Sequence, residues 1–458
     1  MTAVATVESR PLLREPPAPT LEEGLARARR IVSPRTGIVS QVTFHELAAD
    51  DPRFYWATSH PANAAPIGGL AARNEGNAAS VDPHRAVLKA VGESVERYCA
   101  ALYDERELRL ATYDELEEAA VPPDRVALFS DRQYAEPGFP FAPFMRDTPV
   151  RWVRGHSLVH DRPTWVPAQL VYVPYRREPT FEPVLRELIS TGLAAGPTLA
   201  SAAYRGMTEM IERDAFMIVW QNRLPRPHID LESVGDPFVR RLLHAFHGVP
   251  VRLRAVLLTL DLELAVVLVL MTTESGRTPL TTIGVGADLS PARAVALALE
   301  EAGLGFVAVR WLAAATPGYR PLPDHAECVD LRLHALAHAL DPSLRRSVEF
   351  LTRPTETLAL DDLPDRSSDS AAANAHVVAG ELAARGFDVV AVDVTTPDVD
   401  AVGYKVVRSV VPGLQPLDAD HTHRHLGGTR LYEVPYRLGL RDRPAEESDL
   451  NRDPHPFP

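Results

Sequence analysis

Lysine is nearly missing from this chain: of 48 basic side chains only Lys89 and Lys405 are lysines. A GC-rich coding bias is the simple cause, but one consequence is chemical. Any phosphate recognition must rest mostly on arginine, and no Gly-x-x-x-x-Gly-Lys-Ser/Thr loop is present. Cysteine is equally scarce. Cys99 and Cys328 cannot build a disulfide framework, and their number fits a reducing, cytoplasmic setting. Long uncharged apolar runs are absent too. The most apolar stretch, residues 254–273, carries Asp261 and Glu263 and reads as two buried strands rather than a membrane span. The N-terminus has no apolar core of a signal peptide. Surplus positive charge is also lacking: the net charge of −13 excludes a general nucleic-acid or anionic-membrane surface. It leaves room for an anionic ligand in a locally positive pocket.

What is present is a soluble globular composition, 45% hydrophobic and 24% charged. At 458 residues the length suits two to four domains or one large composite one. Residues 1–32 read as a loosely attached extension with a short helix near 20–30. The stretch "RRIVSPRTGIVSQVTF" alternates like strand, turn, strand. From residue 33 to 458 strands and Ala-rich helices interleave without an evident linker, which reads as an α+β architecture. Strands are expected at 165–175, in "FDVVAVDVTT" and in "YKVVRSVVPG", and helices near 84–101, 199–219, 292–310 and 376–385. The tail, 441–458, is proline-rich and without periodicity.

Three segments repeat one frame: "GNAASVDPHRAVLKAVGESVERY", "GLAAGPTLASAAYRGMTEMIERD" and "GVGADLSPARAVALALEEAGLGF". Gly76, Gly192 and Gly284 open them, Ala86, Ala202 and Ala294 follow ten residues later, and Glu93, Glu209 and Glu301 follow after 17. Asp82-Pro83, Thr198 and Ser290-Pro291 look like helix caps. On each helix the stripe leading to the aligned Glu is made of small residues: Ala86 and Ala90, Ala202 and Gly206, Ala294 and Ala298. Such helices can pack closely on neighbouring backbone and deliver the carboxylate into a shared space.

Two copies are chemically richer. Glu93, Glu96 and Arg97 recur as Glu209, Glu212 and Arg213. Like charges three apart cost roughly 0.2–0.5 kcal/mol even when exposed, and more when buried unless cations enter. One such triplet alone reads as an ion-paired core helix. Two on a shared frame, four acids against two arginines, suit Mg²⁺ carrying a polyphosphate, with oxygen on the metal and guanidinium on phosphate.

Weaker features keep two readings each. His421, His423 and His425 would share one face of a strand and could ligate zinc, or could be solvated or bonded to backbone. Cys99 is a nucleophile or a small buried hydrophobe. The closing "PHPFP" is a disordered polyproline end on composition alone.

These motifs, with "VGYKVVRSVVPGLQPL", resemble those of the YcaO-domain family over about residue 33 to the C-terminus. The resemblance implies repeated strand–helix units packed around a central ATP site. It also implies ATP and Mg²⁺ as cofactors and activation of a peptide-bond oxygen by phosphorylation. Carried over by position, Glu93, Glu96, Glu209 and Glu212 would hold magnesium. Arg97 and Arg213 would contact phosphate or hold the acids, and Arg408 would face the nucleotide phosphates. Pro454, Pro456 and Pro458 resemble the Pro-x-Pro-x-Pro ending of the azoline-forming cyclodehydratases. There the terminus reaches the active site, so the Pro458 carboxylate would assist proton transfer. The implied substrate is a ribosomally made precursor peptide whose Cys, Ser or Thr residues become thiazolines or oxazolines in natural-product biosynthesis. Other activities of the family are thioamide and macroamidine formation, and a non-catalytic ATP-binding scaffold is a further alternative. The proline tail favours azolines.

Two departures stand out. Ser190-Thr191-Gly192 replaces the family's Ser-Asn-Gly, and Leu304 replaces a Gln, which weakens Glu301 as a site residue. The stretch before the matched region, 1–32, is too short for an E1-like, leader-peptide-binding unit. A separate partner protein is therefore expected, with no nucleic acid or membrane, and a homodimer is allowed.

Overall fold

The computed structural model of the chain describes residues 19–70, 75–273 and 279–457. Each copy of the repeat folds as a strand, a short loop and a long helix, and each strand belongs to a different sheet. The first sheet is an antiparallel meander of β1 (Val39–Phe44), β2 (Tyr55–Pro61) and β3 (Gly76–Ser80). The second runs β4 (Arg109–Ala111), β5 (Val150–Ser157), β13 (Val390–Asp393), β14 (Lys405–Val410), β7 (Leu193–Gly196), with β6 (Arg162–Pro167) on the other edge of β5. The third runs β11 (Thr281–Asp288), β10 (Ala265–Thr273), β9 (Val251–Leu257), β8 (His228–Asp230), β12 (Thr357–Ala359), antiparallel except for the β8–β12 pair. The repeat strands are thus β3, β7 and β11. The helices that follow them are Pro83–Ala100, Leu199–Asn222 and Pro291–Ala315.

The cap signals act largely as read. Asp82 accepts from the His84 and Arg85 amides, and Thr198 forms a reciprocal capping box with Ser201. Ser290 stands at the third N-cap, but its hydroxyl turns to Asp365 at 2.7 Å.

Glycine opens each repeat because strand and helix backbones nearly touch. A Cβ on Gly76 would lie 2.2 Å from the Ala90 carbonyl oxygen, and one on Gly284 2.2 Å from the Ala302 nitrogen. Gly192 adds a φ of +88° and the Ser409 carbonyl oxygen at 2.3 Å from the same notional atom. The Ala and Gly stripes on the helices are the other half of that contact, with Ala86, Ala90, Ala202, Ala294 and Ala298 fully buried.

The central helix, Leu199–Asn222, is apolar nearly all round because it is covered on every side. Met207 and Phe216 share one core with Val266, Leu268 and Leu270 of β10, and with Ile283 and Val285 of β11. The alternate residues Val267, Val269 and Met271 point into a second core with Ala294, Ala298 and Leu299 of the third helix. Strands buried on both faces read as continuous apolar runs, which is why 254–273 mimicked a membrane span. Asp261 and Glu263 fall in the turn between β9 and β10, where Asp261 binds Arg430. No helix among the described residues is long and apolar enough to cross a membrane.

Four expectations are corrected. The strand at 165–175 ends at Pro167, because Ala168–Leu170 turn in a 3₁₀ helix in a segment whose prolines cannot donate to a ladder. The helix expected from 376 starts at Ala371, capped by Ser370. The first limb of the expected strand–turn–strand is helical through Ile31, with one bridge between Val32 and Val39. Residues 1–18 of the expected loose extension lie outside the described residues. Leu21–Ile31, however, is a docked helix that buries Ala28 and Ile31, and its Arg27 bonds the Gly403 carbonyl at 2.8 Å.

The close approach at Gly284 yields a test. Gly284→Ala forces the third helix off β11 and costs roughly 1–3 kcal/mol or more, read as a lower denaturation midpoint. An unchanged midpoint would mean the two backbones are not in contact.

Candidate active site

The constant step from Gly to Glu is closed by a hydrogen bond to that glycine or to its successor. Glu93 Oε2 accepts from the Asn77 amide at 2.8 Å, Glu209 Oε2 from the Gly192 amide at 3.0 Å, and Glu301 Oε2 from the Val285 amide at 2.6 Å. Each carboxylate fastens a helix to the strand that precedes it. The second acid of each pair reaches forward instead. Glu96 accepts from the Ala195 amide on β7 at 2.7 Å, and Glu212 from the Ala287 amide on β11. Both partners lie three residues past their repeat glycine. The third helix has no further repeat to reach, and Leu304 at the matching position packs in the apolar cluster that holds Ala79 and Phe54.

These bonds converge five carboxylates: Glu93, Glu96, Glu209, Glu212 and Glu301. Glu96 feels the charges of Glu93 and Glu209, and Glu212 those of Glu209 and Glu301. Arg97 bonds Glu93 Oε1 at 3.1 Å, and Arg213 bonds Glu209 Oε1 at 3.3 Å and also Glu212. Two guanidiniums against five acids leave a surplus of negative charge walled in by protein. Burial, then mutual repulsion, pushes Glu96 up to about 8; burial raises Glu212 likewise, against the pull of Arg213. Glu301 is raised by burial as well.

Two cavities flank this cluster. A cleft of about 1030 Å³ runs between the N-terminal halves of the three helices, with Glu209 and Glu212 in its wall beside Arg85, Lys89, Arg205 and Arg293. Arg213 lines a smaller cavity, together with Arg186, Thr191 and Arg408. The donor set fits a hard cation and a polyphosphate. The acids offer oxygen ligands that repel one another without a cation. Buried N–H groups also stand ready without partners: Nε of Arg97 and Arg213, Nε and Nη1 of Arg408.

The tail forms part of this site. Trp220 and Gln221 of the central helix, Arg424, His334 and His338 bond it from Asn451 to His455, with the two imidazoles on the Pro454 and His455 carbonyls at 2.7 and 3.0 Å. Phe457 is fully buried, and its ring lies 4.0 Å beneath the Arg213 guanidinium. Pro458 lies outside the described residues.

Where the sequence left two readings open, the structure decides between them. His421, His423 and His425 do not share a strand face, because His421–His423 is a 3₁₀ turn. His421 meets the His334 ring, His423 bonds Asp420 at 2.8 Å and His425 bonds Asp418 at 3.0 Å. His423 alone of the three stands with more than one acid, Asp420 and Glu187. Cys99 is buried against Thr396, and burial pushes its thiol up to about 12, as for a small core residue and not a nucleophile. Glu301, discounted because of Leu304, is within the cluster; the shared frame was the signal that should have counted. Arg186 and Phe457 carried no sequence signal.

Comparison with known proteins agrees with this geometry. The family model described as YcaO cyclodehydratase, ATP- and Mg²⁺-binding, matches residues 77–415. A heterocyclase solved in complex with substrate and cofactor superposes with a TM-score of 0.79 at 26% identity, over 99% of this chain and 59% of its own. This chain therefore spans well under two thirds of that heterocyclase. YcaO from Methanopyrus kandleri, bound with AMPPCP and Mg²⁺, has a TM-score of 0.64 over 88% of this chain and 94% of its own; at 21% identity the likeness is one of fold. An uncharacterized protein of Methanothermobacter thermautotrophicus is 29% identical over 275 residues, 59% of this chain and 67% of its own.

The raised acids give a pH prediction. Below about 8, Glu96 and Glu212 hold protons that a metal must displace. Mg²⁺ binding therefore releases protons and tightens as pH rises toward that value. Without metal, the raised pKa values make the fold lose stability as pH climbs from the ordinary 4.5 toward 8. Calorimetry in buffers of differing ionisation enthalpy reads the protons; binding without proton release at neutral pH would contradict the assignment.

Proposed function

The chain belongs to the YcaO cyclodehydratase family, and from that premise we propose that it is an ATP-dependent cyclodehydratase of a ribosomally made precursor peptide. The observation that carries this reading is the meeting of five carboxylates with two ion-paired arginines and two that pair with no acid among the described residues. Glu93, Glu96, Glu209 and Glu212 hold Mg²⁺ in this reading, with Glu301 beside them. The metal supplies charge neutralisation at the polyphosphate.

The substrate's Cys, Ser or Thr side chain attacks the preceding carbonyl carbon and gives up its thiol or hydroxyl proton to a base, and the former carbonyl oxygen of the tetrahedral adduct takes the γ-phosphoryl group of ATP, with ADP as the leaving group. The C–O bond then breaks and its electron pair leaves with phosphate. The nitrogen lone pair closes the C=N bond, and the N–H proton passes to a base. What the chain supplies is position and charge. Arg97 and Arg213 hold the acids and offer their free Nε–H groups to phosphate, and Arg408 offers two further donors. Phe457 carries the tail onto Arg213, which supports a role for the adjoining Pro458 as the proton acceptor. In this reading a leader-peptide-binding protein of the E1-like class delivers the substrate.

Two outcomes test this. Glu212→Gln keeps the helix but removes a metal-binding charge, so ATP turnover falls roughly a hundredfold or more with an unchanged circular dichroism spectrum; undiminished turnover would refute the assignment. Deleting residues 454–458 suppresses cyclisation more than ATP binding. Cyclisation is read as loss of one water per modified residue when the peptide is weighed, and equal cyclisation by the truncated chain would remove the tail from the mechanism.

A further inference from the structure

The first step of cyclodehydration releases a thiol or hydroxyl proton, while the acids and arginines of the site are committed to metal and phosphate. The histidine turn offers a further group. Asp420 caps the 3₁₀ turn His421–His423 and is 6% exposed. Its Oδ1 accepts from the Thr422 amide and hydroxyl at 2.7 and 2.6 Å, and its Oδ2 from His423 Nδ1 at 2.8 Å. A carboxylate on Nδ1 fixes the imidazole as the Nδ1–H tautomer and leaves the lone pair on Nε2. Nε2 bonds nothing among the described residues, and the His423 side chain is 27% exposed.

Two other segments pack on this turn. Glu187 bonds Asp420; burial, then the Asp420 charge, pushes its carboxyl up to about 7, so near neutrality it has a proton to donate. Against burial, which would raise it, bonds from Thr422 and His423 hold Asp420 below the usual carboxylate range. The rings of Phe139 and Phe141 stand edge-on to the imidazole at 5.6 and 5.4 Å and form an uncharged wall. Asp420 and Glu187 are thus the titratable groups beside His423. Both polar segments also reach the site. Gln415 and Pro416, before the turn, and Arg186 and Thr191, on either side of Glu187, line the cavity that Arg213 and Arg408 share. The loop holds the tail as well: the Asp418 carbonyl accepts from His455 Nε2 at 2.7 Å, and Arg424 donates to the Asn451 carbonyl.

We propose that His423, oriented by Asp420, is the base that takes the substrate's proton as its side chain attacks. The assignment rests on the cyclodehydratase reading and names a residue for that first step. As the S–C or O–C bond forms, Nε2 takes the S–H or O–H proton, and the carbonyl π pair moves onto the oxygen that ATP then phosphorylates. The imidazolium, held by Asp420, returns its proton to water. The later N–H proton goes to the tail.

The probes are two precursor peptides with one leader, alike except for Cys or Ser at the residue the parent chain modifies. They are weighed after incubation with ATP, Mg²⁺ and the leader-binding partner. His423→Gln slows the Ser peptide roughly a hundredfold or more and the Cys peptide less, with ATP binding retained. The Cys loss shrinks as pH rises toward about 8.5, where the thiol ionises unaided; the Ser loss does not. A packing role alone would slow both alike at every pH or loosen ATP, and either result overturns the proposal, as does undiminished cyclisation. If His423→Gln fails to fold, Asp420→Asn decides. It keeps the cap but no longer fixes the tautomer, so the same split between peptides supports the base, and equal loss or no loss overturns it. Where the parent takes a single peptide, rescue of His423→Ala by free imidazole supports the base and absence of rescue overturns it. A parent that cyclises neither peptide sinks the cyclodehydratase reading, and this assignment with it.

Discussion

A helix carboxylate bonded to an amide of the preceding strand is the interaction on which this structure depends. The three sheets share no ladder with one another, so what joins them are the helices and the acids they carry. Glu93, Glu209 and Glu301 fasten each helix to its own strand, while Glu96 and Glu212 reach the strand of the next unit. A charge-assisted bond of this sort contributes on the order of 1.5–3 kcal/mol, set against the desolvation of the acid. The two oxygens of Glu93 and Glu209 divide the work. Oε2 goes to the strand side, and Oε1 bonds the arginine one turn further along the same helix. Scaffold and site are therefore built from the same side chains.

The tail completes the enclosure from the opposite direction. Imidazoles of His334 and His338 on its carbonyls satisfy acceptors that the prolines leave without ladder partners. Burial keeps both rings below their ordinary range, so they meet the tail as neutral donors rather than as charges. The segment that composition alone reads as disordered polyproline, and that the resemblance brings to the active site, is an ordered wall that puts Phe457 on Arg213. The small cavity beside Arg213 is lined by Arg186 and Arg408 as well, whereas the cleft is wide and mixed in charge.

How much of this was legible in the sequence differs by element. The repeat was visible because its glycines, small stripes and acids obey helical spacing and an invariant step. The doubled Glu-x-x-Glu-Arg then located the site. What hid Glu301 was attention to a missing neighbour, although the backbone amide it serves belongs to its own strand. The histidines left two readings open because period-2 spacing also occurs in a turn, where consecutive side chains diverge. The strand at 165–175 was overextended because apolar alternation continues past Pro167 while the backbone turns, so that the Val171 and Tyr172 amides bond the Ala168 carbonyl and no ladder. Arg186 and Phe457 come to the site by tertiary packing alone, and no local pattern marks them.

The strands β10 and β11 carry a consequence for synthesis on the ribosome. Exposed alone, they would be the stretch most prone to self-association: long, Val-rich, uncharged along most of their length and suited on both faces to burial. Their two covers arrive on either side of them in time. The central helix, ending at Asn222, has already been made, and the third begins at Pro291, just after β11 ends at Asp288. At ribosomal rates of elongation the whole of that third helix follows within seconds. Chain order thus limits how long the stickiest part of the protein stands uncovered.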